Sequence, residues 1–286
     1  ASGKLRRNPE RMLQRSKEAL ARASIFPRFI PTAGPGDATD LARTAVSEGA
    51  DLILALGGDG TINETANGML HSEAALGILP GGTANVLAME LRLGSRLERA
   101  IERLVKCAPR RVAAGRMSSE SGSRHFLAMA GAGLDAGIVH DLNPRLKARA
   151  GKAAYWVCGM SKIARRVGQL EAIVNGTVYR CGFALISRVR NYGGDLEIAR
   201  GASLLRDEFE IVLFEGSNPL RYLCYMLAAG LRRVQSMPGV RTVRGTSIEI
   251  SGDVHLQLDG EYAGRPPARL EIVPDAVTLL MPESYR

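Results

Sequence analysis

Residues 51–61 read Asp-Leu-Ile-Leu-Ala-Leu-Gly-Gly-Asp-Gly-Thr, and this stretch decides the fold class. Its first half is a short continuous apolar run, typical of a strand that is buried on both faces of a parallel sheet. The glycines follow directly, and a helical pattern then continues to about residue 70. Residues 76–85 repeat the order of strand, glycine turn and helix start. This repetition predicts a parallel α/β domain.

Outside this stretch, the sequence pattern before Pro109 differs from the pattern after it. Helical periodicity predicts helices over 8–23, 38–48 and 97–106. Beyond Pro109, turn residues separate short β-type runs, as in an antiparallel sandwich. These runs are 124–129, 171–174, 178–186, 209–214, 246–250, 254–258 and 276–281.

Two further helices are expected within this β-rich part. One lies around 146–167, and the other starts at 217–219, with apolar residues that we expect to lie in the core. The predicted fold is therefore α/β, with an N-terminal parallel α/β nucleotide-binding domain, residues 1–107, and a β-sandwich-rich domain, residues 108–286.

Composition narrows the function classes. The chain has 286 residues, 45% of them hydrophobic and 23% charged, which excludes disordered, collagen-like and coiled-coil proteins. No apolar run approaches the ~18–20 residues that span a bilayer, and no signal peptide is visible, so a soluble cytoplasmic protein is expected. The four cysteines and four histidines are scattered. Their spacing disfavours a zinc site and predicts core thiols.

The charge distribution points to an anionic partner. The net charge is +9, of which +2 falls on residues 1–107 and +7 on residues 108–286. Aromatic residues make up only 5% of the chain, and no nucleic-acid-binding motif is present. A membrane surface is therefore favoured over nucleic acid.

The first glycine loop has the features of a phosphate site. Glycines at a strand-to-helix turn let backbone amides approach a ligand, and the helix N-terminus favours anions. Asp59 is unexpected there, because a carboxylate repels phosphate, unless Mg²⁺ or a transferred proton is also present. A tight turn that uses Gly and Asp for geometry alone is the alternative.

Three other segments could carry chemistry. In the second glycine loop, Thr83 can bond a phosphate oxygen and Asn85 can cap the next helix. Asp135 follows a glycine-rich turn and offers a second carboxylate. Asp259-Gly-Glu261 is either a hairpin turn or the source of a general base and a metal or ribose contact.

Taken together, these segments resemble the diacylglycerol kinase catalytic domain family, which includes bacterial lipid kinases and sphingosine kinases. The opening Ser2-Gly3 is similar to the end of that family's first phosphate loop, and Thr32 matches a nucleotide-contacting threonine. The other matching segments are Gly57-Gly-Asp-Gly-Thr61 with Asn63 and Glu64, Gly82-Thr-Ala-Asn85, Gly131-Ala-Gly-Leu-Asp135 and Asp259-Gly-Glu261.

The resemblance implies an ATP-dependent kinase that uses Mg²⁺ to phosphorylate a lipid hydroxyl. Asp259 would be the general base, with Glu261 assisting at the nucleotide. Asp59 and Asp135 would organise the metal through water, so that Asp59 is also counted among the catalytic residues. The implied nucleotide-binding residues are Ser2, Gly3, Thr32, Gly57, Gly58, Asp59, Gly60, Thr61, Ile62, Asn63, Glu64, Gly82, Thr83 and Asn85.

The sequence departs from the family pattern at two places. Val86 stands where members often have an aspartate, which removes one carboxylate from the implied metal network. Residues 203–207 read Ser-Leu-Leu-Arg-Asp where members tend to carry a Lys-Leu-Asp-Asp-Gly-like segment that holds a structural metal. Because Arg206 is a cation at an aspartate position, we expect that metal site to be absent.

The expected partners are a lipid substrate and an anionic membrane surface. Residues 144–170 contain seven basic and no acidic side chains, which suits a helix on a membrane or one packed on the sandwich. A homodimer through an edge strand is left open. Two alternative functions also remain open, an NAD kinase-like phosphotransferase and a catalytically weak lipid-binding regulator.

Overall fold

A computed structural model describes residues 9–120, 122–134, 136, 168–193 and 196–286. Its contacts divide the chain into two compact units: unit 1 is Ala1–Val112 with Asp275–Arg286, and unit 2 is Ala113–Pro274. The division predicted at 107/108 gave the C-terminal residues to the second domain. They belong to unit 1 here because residues 278–279 pair with a strand of that unit.

The helices and strands alternate early in the chain and strands dominate later. The helices are α1 (Pro9–Arg22), α2 (Asp37–Ser47), α3 (Asp59–Gly68), α4 (Val86–Glu90), α5 (Leu97–Leu104) and α6 (Pro219–Gly230), with a 3₁₀ turn at Val234–Ser236. The strands are β1 (Leu52–Gly57), β2 (Ala75–Pro80), β3 (Cys107–Ser119), β4 (Gly122–Phe126), β5 (Met129–Gly133), β6 (Leu170–Val174), β7 (Thr177–Cys181), β8 (Phe183–Ser187), β9 (Asn191–Tyr192), β10 (Leu196–Glu197), β11 (Phe209–Phe214), β12 (Val240–Gly245), β13 (Ser247–Ser251), β14 (Leu256–Leu258), β15 (Glu261–Tyr262) and β16 (Ala268–Pro282).

Unit 1 is built on parallel strands. β1 pairs with β2 in a register that ends with Gly57 opposite Pro80, and β2 also pairs in parallel with the C-terminal part of β16. All six residues of β2 are buried, which agrees with its continuous apolar sequence. Because β1 and β2 end at the same edge of the sheet, the two glycine loops that follow them are neighbours.

Unit 2 is an antiparallel sandwich. One sheet has the strand order β12-β11-β8-β5-β14-β15, and in the other β13 pairs with β6 and with the N-terminal part of β16. Strands of both sheets contribute to one apolar core, in which Phe126 and Phe209 stack with ring centroids 5.8 Å apart. The predicted fold class, parallel α/β followed by a β-sandwich, is confirmed.

Several strand boundaries differ from the sequence prediction. The run 178–186 forms two strands that turn at Gly182, because β7 pairs with β6 while β8 pairs with β5 and β11. The run 124–129 is likewise divided, with residues 127 and 128 outside the ladder. β3 was not predicted, since its arginines and small residues give no clear alternation. The predicted helix at 146–167 lies outside the described residues.

Among the helices within the described ranges, none has the length and hydropathy needed to cross a bilayer.

Candidate functional site

The two glycine loops of unit 1 touch through their backbones. The amide of Gly81 donates to the carbonyl of Gly57 at 2.7 Å. A Cβ added at Gly82 would lie 2.6 Å from the Cα of Gly58, and one added at Gly57 would lie 2.6 Å from Cβ of Thr61. Side chains larger than hydrogen therefore do not fit at Gly57 and Gly82, and the two loops pack backbone against backbone.

Asp59 joins the first loop to the second. Its Oδ2 accepts the amide of Asn85 at 3.0 Å, and its Oδ1 accepts the amide of Val86 at 2.6 Å. These donors lie at the start of α4, so the carboxylate caps that short helix. The carboxylate of Asp59 therefore has a structural role, because it bonds the amides of Asn85 and Val86. This role explains a carboxylate in a loop where a neighbouring phosphate alone would repel it.

Asn85 closes the second loop on itself. Its backbone is left-handed, with φ 51° and ψ 52°, a conformation that asparagine adopts more readily than most residues. Its Oδ1 accepts the amide of Gly82 at 2.8 Å, and its Nδ2 donates to the carbonyl of Gly82 at 3.1 Å. Thr83 lies between these two residues and is exposed, so its hydroxyl is accessible to a ligand.

The two glycine loops, residues 57–61 and 81–85, together form a surface that we call the cradle, and this cradle suits phosphate groups. α3 begins at Asp59, and its N-cap is Gly58, which has no side chain that could cap the first amides. Helix N-termini with glycine loops favour anions through their amide groups and the helix dipole. The residues therefore fit a nucleotide phosphate. Proteins hold Mg²⁺ with one or two carboxylates together with phosphate oxygens and waters. Among the residues that the structure describes, Asp59 is the carboxylate beside the cradle that could take this role.

The other residues that were predicted to bind the nucleotide differ in how deeply they are buried. Ile62 is fully buried in unit 1, and its amide donates to the carbonyl of Gly58 at 3.1 Å. Asn63 is buried, whereas Gly60 and Thr61 are half-buried. Ser2, Gly3 and Asp135 lie outside the described residues.

Glu64 points toward the turn that precedes α2. Its Oε1 accepts the amide of Gly36 at 2.9 Å, and its carbonyl accepts the hydroxyl of Thr39 at 2.9 Å. Thr32, four residues before Gly36, is exposed. The structure thus gives Glu64 contacts with Gly36 and Thr39, at the turn that follows Thr32 in the sequence.

Asp259 occupies a tight hairpin turn in unit 2. Asp259 and Gly260 both have positive φ, 48° and 82°, as the two central residues of a type I′ turn require, and they connect β14 to β15. The side chain is nevertheless buried, with 9% exposure. The segment is therefore a hairpin turn, and this turn is compatible with the predicted role of Asp259 as a general base.

Three backbone amides hold the carboxylate of Asp259. Its Oδ2 accepts the amide of Leu127 at 2.9 Å, and its Oδ1 accepts those of Ala128 and Met129 at 3.0 and 2.8 Å. These donors lie where the strand run 124–129 is interrupted, and hydrogen bonds to an ionised acceptor are stronger than neutral ones. The carboxylate is therefore fixed in orientation and stabilised in its charged form.

Glu261 has a different environment. Its Oε2 lies 3.1 Å from Nη2 of Arg124, and both side chains are 44% exposed. Exposed pairs of this kind contribute at most about 1 kcal/mol to stability. Asp59 belongs to unit 1, whereas Asp259 and Glu261 belong to unit 2.

The sequence analysis missed Arg188, which is fully buried. Its Nη2 donates to the carbonyl of Leu204 at 2.9 Å, and its Nη1 donates to that of Arg206 at 3.0 Å. Its amide donates to the carbonyl of Ala128 at 2.9 Å. Arg188 therefore links residues 203–206 to the amides that hold Asp259. Its one available signal was a cation within the apolar run 183–189.

The segment 203–207 is therefore bound by a cationic side chain. Across the described residues, no group of three or more His, Cys, Asp or Glu side chains could hold a metal ion. The guanidinium of Arg188 supplies a positive charge to the carbonyls of this segment, which gives the turn a fixed conformation.

The cysteines do not form a reactive centre in the part of the chain that is described. Burial, together with the charge of Glu215, raises the pKa of Cys181 to about 12, and burial also raises the pKa of Cys107. Neither thiol ionises appreciably at neutral pH, which disfavours nucleophilic catalysis by them. Cys224 is exposed, so the expectation of core thiols does not hold for this residue.

The contact between the glycine loops gives a testable prediction. We expect Gly82→Ala to lower the free energy of unfolding by about 1–3 kcal/mol, because its Cβ would overlap the backbone of Gly58. We also expect the affinity for Mg·ATP to fall on the order of tenfold, since about 1.4 kcal/mol of lost binding energy has that effect. Urea unfolding and titration calorimetry measure the two quantities.

The matched control is Gly230→Ala, because a Cβ there meets nothing within 4 Å and the backbone φ is not positive. Equal affinities in the two variants would contradict a nucleotide role for the loops.

Comparisons with known proteins bear on this combination of loops and sandwich. The family described as "Diacylglycerol kinase catalytic domain" matches residues 1–117, and "YegS C-terminal NAD kinase beta sandwich-like domain" matches residues 128–281. The chain therefore belongs to the family that carries this C-terminal sandwich-like domain, and its first 117 residues match the diacylglycerol kinase catalytic domain. The second match covers most of unit 2 and accounts for its sandwich architecture.

Relatives named diacylglycerol kinase share modest identity over most of the chain. A protein named diacylglycerol kinase from Bacillus subtilis (strain 168) is 27% identical over 256 residues, covering 87% of this chain and 83% of the relative. One of the same name from Staphylococcus aureus (strain JH9) is 28% identical over 241 residues, covering 82% and 75%.

Solved structures share the fold. The crystal structure of a diacylglycerol kinase from Bacillus anthracis str. Sterne aligns with a TM-score of 0.74 at 23% identity, covering 94% of this chain and 92% of that one. Another solved chain from the same organism aligns with a TM-score of 0.79 at 22% identity, covering 96% and 92%. At this identity the likeness concerns architecture.

Proposed function

We propose that this protein is an ATP-dependent lipid kinase that transfers the γ-phosphate of ATP to a hydroxyl group of a lipid. The family membership supports lipid kinase activity in general. The observation that carries the proposal for this chain is the pair of glycine loops, whose backbones touch and which Asp59 joins through two amide hydrogen bonds. Such a cradle holds phosphate through main-chain groups.

In the proposed reaction, unit 1 binds the nucleotide. The amides at the start of α3 and the hydroxyl of Thr83 would hold phosphate oxygens of ATP, and Thr32 and Glu64 would lie beside the rest of the nucleotide. Phosphoryl transfer depends mainly on positioning and on stabilisation of charge. A rigid, glycine-lined cradle serves this purpose because it is already organised before the nucleotide binds.

Unit 2 would supply the acceptor side of the reaction. The lipid hydroxyl oxygen forms a bond to the γ-phosphorus, the bond from that phosphorus to the β–γ bridging oxygen breaks, and the hydroxyl proton passes to the carboxylate of Asp259. Because the transition state of phosphoryl transfer is loose, the reaction requires a well-oriented proton acceptor rather than a strong base. A carboxylate fixed by three amides meets that requirement.

Mg²⁺ is part of the proposal, with Asp59 as its described protein carboxylate and Asp135 as the second. When bound, the metal neutralises charge on the phosphate oxygens. The proposed substrate lies in a membrane, so we also propose peripheral association of the protein with the cytoplasmic membrane surface.

The test is transfer of labelled γ-phosphate from Mg·ATP to diacylglycerol, a sphingoid base, ceramide and a polyprenol in mixed micelles. NAD is included as an acceptor because the matched second domain is described as NAD kinase beta sandwich-like. Labelling of one lipid class supports the proposal. Labelling of NAD alone would replace it with the phosphotransferase alternative. ATP binding with no labelled acceptor would favour the regulatory alternative.

A further inference from the structure

Helix α6 carries a row of exposed leucines. Leu220, Leu223, Leu227 and Leu231 are 71%, 36%, 63% and 72% exposed. Their spacing of three, four and four residues places them along one face of a helix, over a length of about 16 Å. The sequence predicted that Leu223, Leu227 and Leu231 lie in the core, and for these three residues that prediction is wrong. We refer to the four residues as the leucine ridge.

The orientation of the ridge follows from how the opposite face is anchored. Tyr222 and Tyr225 are buried, and the Tyr222 hydroxyl lies within hydrogen-bonding distance of two carbonyl oxygens, 2.9 Å from that of Phe214 and 3.0 Å from that of Gly216. The Tyr225 hydroxyl donates to the carbonyl of Pro238 at 3.1 Å. These bonds fix the rotation of α6, so the leucines are held outward by the structure of unit 2.

Positive charge flanks both ends of the ridge. Residues 216–248 contain five arginines and no acidic residue. Arg221 follows the first leucine of the ridge, and Arg232 and Arg233 follow the last; all three are exposed. Arg221 is also held in place, since its Nη2 donates to the carbonyl of Pro238 at 3.0 Å. Arg232 lies 3.9 Å from Glu197, a distance at which an exposed pair is weak.

We propose that the leucine ridge is the surface through which this protein docks on an anionic phospholipid bilayer. A helix with an outward apolar face and basic residues at its margins is the pattern that lies in the plane of a membrane interface. The leucines enter the acyl boundary while the arginines contact anionic headgroups. The inference rests on the proposed function for its substrate, since a lipid kinase must reach its acceptor in a membrane.

The test is co-sedimentation of the full chain with vesicles of phosphatidylcholine containing 30% phosphatidylglycerol. We expect a Leu220→Gln, Leu227→Gln double variant to bind these vesicles on the order of tenfold or more weakly than the wild-type chain, because leucine burial is lost. Arg232→Gln and Arg233→Gln should each weaken binding about fivefold, which corresponds to about 1 kcal/mol per basic residue near the surface.

The matched control is Val178→Gln on β7, an exposed aliphatic residue (55%) outside the ridge, which should bind like wild type. Equal binding by the double variant, or no binding of the wild type to anionic vesicles, would overturn the proposal. So would a homodimer that the double variant dissociates while vesicle binding is unchanged, because the ridge would then contact a second copy.

Activity on a short-chain, water-soluble diacylglycerol separates this inference from the proposed function. The double variant should retain wild-type activity on that acceptor and lose activity on vesicles. If neither protein phosphorylates any acceptor, the kinase proposal fails, while the vesicle-binding result still decides the role of the ridge.

Cys224 offers a second readout, because it is exposed and lies on α6 next to the ridge. An environment-sensitive fluorophore on Cys224, in a chain with the other three cysteines replaced by alanine, should shift to shorter wavelength when anionic vesicles are added. Brominated acyl chains should quench it. An unchanged spectrum on vesicles that bind the protein would place the contact elsewhere and overturn the proposal.

Discussion

Asp259→Asn should lower the rate of phosphoryl transfer to lipid by about 10²- to 10⁴-fold, the usual contribution of a general base. It should also lower the free energy of unfolding by about 2–4 kcal/mol, since the asparagine amide would oppose backbone donors that now bond a carboxylate. The two effects have different causes. Initial rates at saturating acceptor measure the first, and urea unfolding measures the second.

Asp253→Asn is the matched control for stability. This aspartate is also in unit 2, but its side chain is 90% exposed and pairs with Arg265 on the surface. The same change in charge should therefore cost less than about 1 kcal/mol. The comparison isolates the effect of the amide contacts around Asp259 from that of net charge.

The two roles of Asp259 separate in a folded variant. Rates are compared at a temperature at which circular dichroism and Mg·ATP affinity match the wild type. If the folded Asp259→Asn protein retains the wild-type rate, the aspartate is a structural acceptor for residues 127–129 and another group takes the proton. A loss of rate with unchanged nucleotide affinity supports the proposed base.

Arg188→Met should lower the free energy of unfolding by about 3–5 kcal/mol. The guanidinium makes two charge-assisted hydrogen bonds to the carbonyls of Leu204 and Arg206, each worth about 1.5–3 kcal/mol. Methionine fills similar space and cannot donate, so both carbonyls lose their partner. The urea midpoint of the full chain measures the effect.

Two further variants serve as comparisons for Arg188→Met: Arg188→Lys, which keeps the charge, and Arg180→Met, which changes an exposed arginine. Lysine keeps the charge but lacks the planar fork that reaches two carbonyls, so an intermediate loss is expected. Arg180 is 78% exposed and pairs with Glu171, so its replacement should change stability by less than about 1 kcal/mol. Equal stabilities of Arg188→Met and Arg180→Met would show that the buried guanidinium has no structural role.

The order of elements in unit 1 was predictable from the sequence because its signals are local. A continuous apolar strand, a glycine turn and a helix start lie within about a dozen residues, and each is set by backbone sterics and burial. The two loops were expected at one edge of the sheet, since parallel strands end together. The sandwich followed from alternation and turn residues, but strands β3 and β12 and the divisions at residues 127–128 and at Gly182 did not.

The contacts of the site were not predictable in the same way. The sequence indicated that Asp59 and Asp259 were unusual, but their amide partners lie 26–27 and 130–132 residues away. Arg188 was missed for the same reason, since its carbonyl partners lie 16 and 18 residues away in a different segment. Residue type limits the bonds that a side chain can make, and the chain path decides which bonds form.

The sequence by itself determined the family resemblance, the parallel α/β start and the glycine loops, because local steric rules and short-range patterns carry them. Only the tertiary structure decided that Asp59 caps α4, that a nest of three amides holds Asp259, and that the leucines of α6 face outward. The last case shows the physical reason: helical periodicity defines an apolar face, but the anchoring of Tyr222 and Tyr225 decides which face is buried.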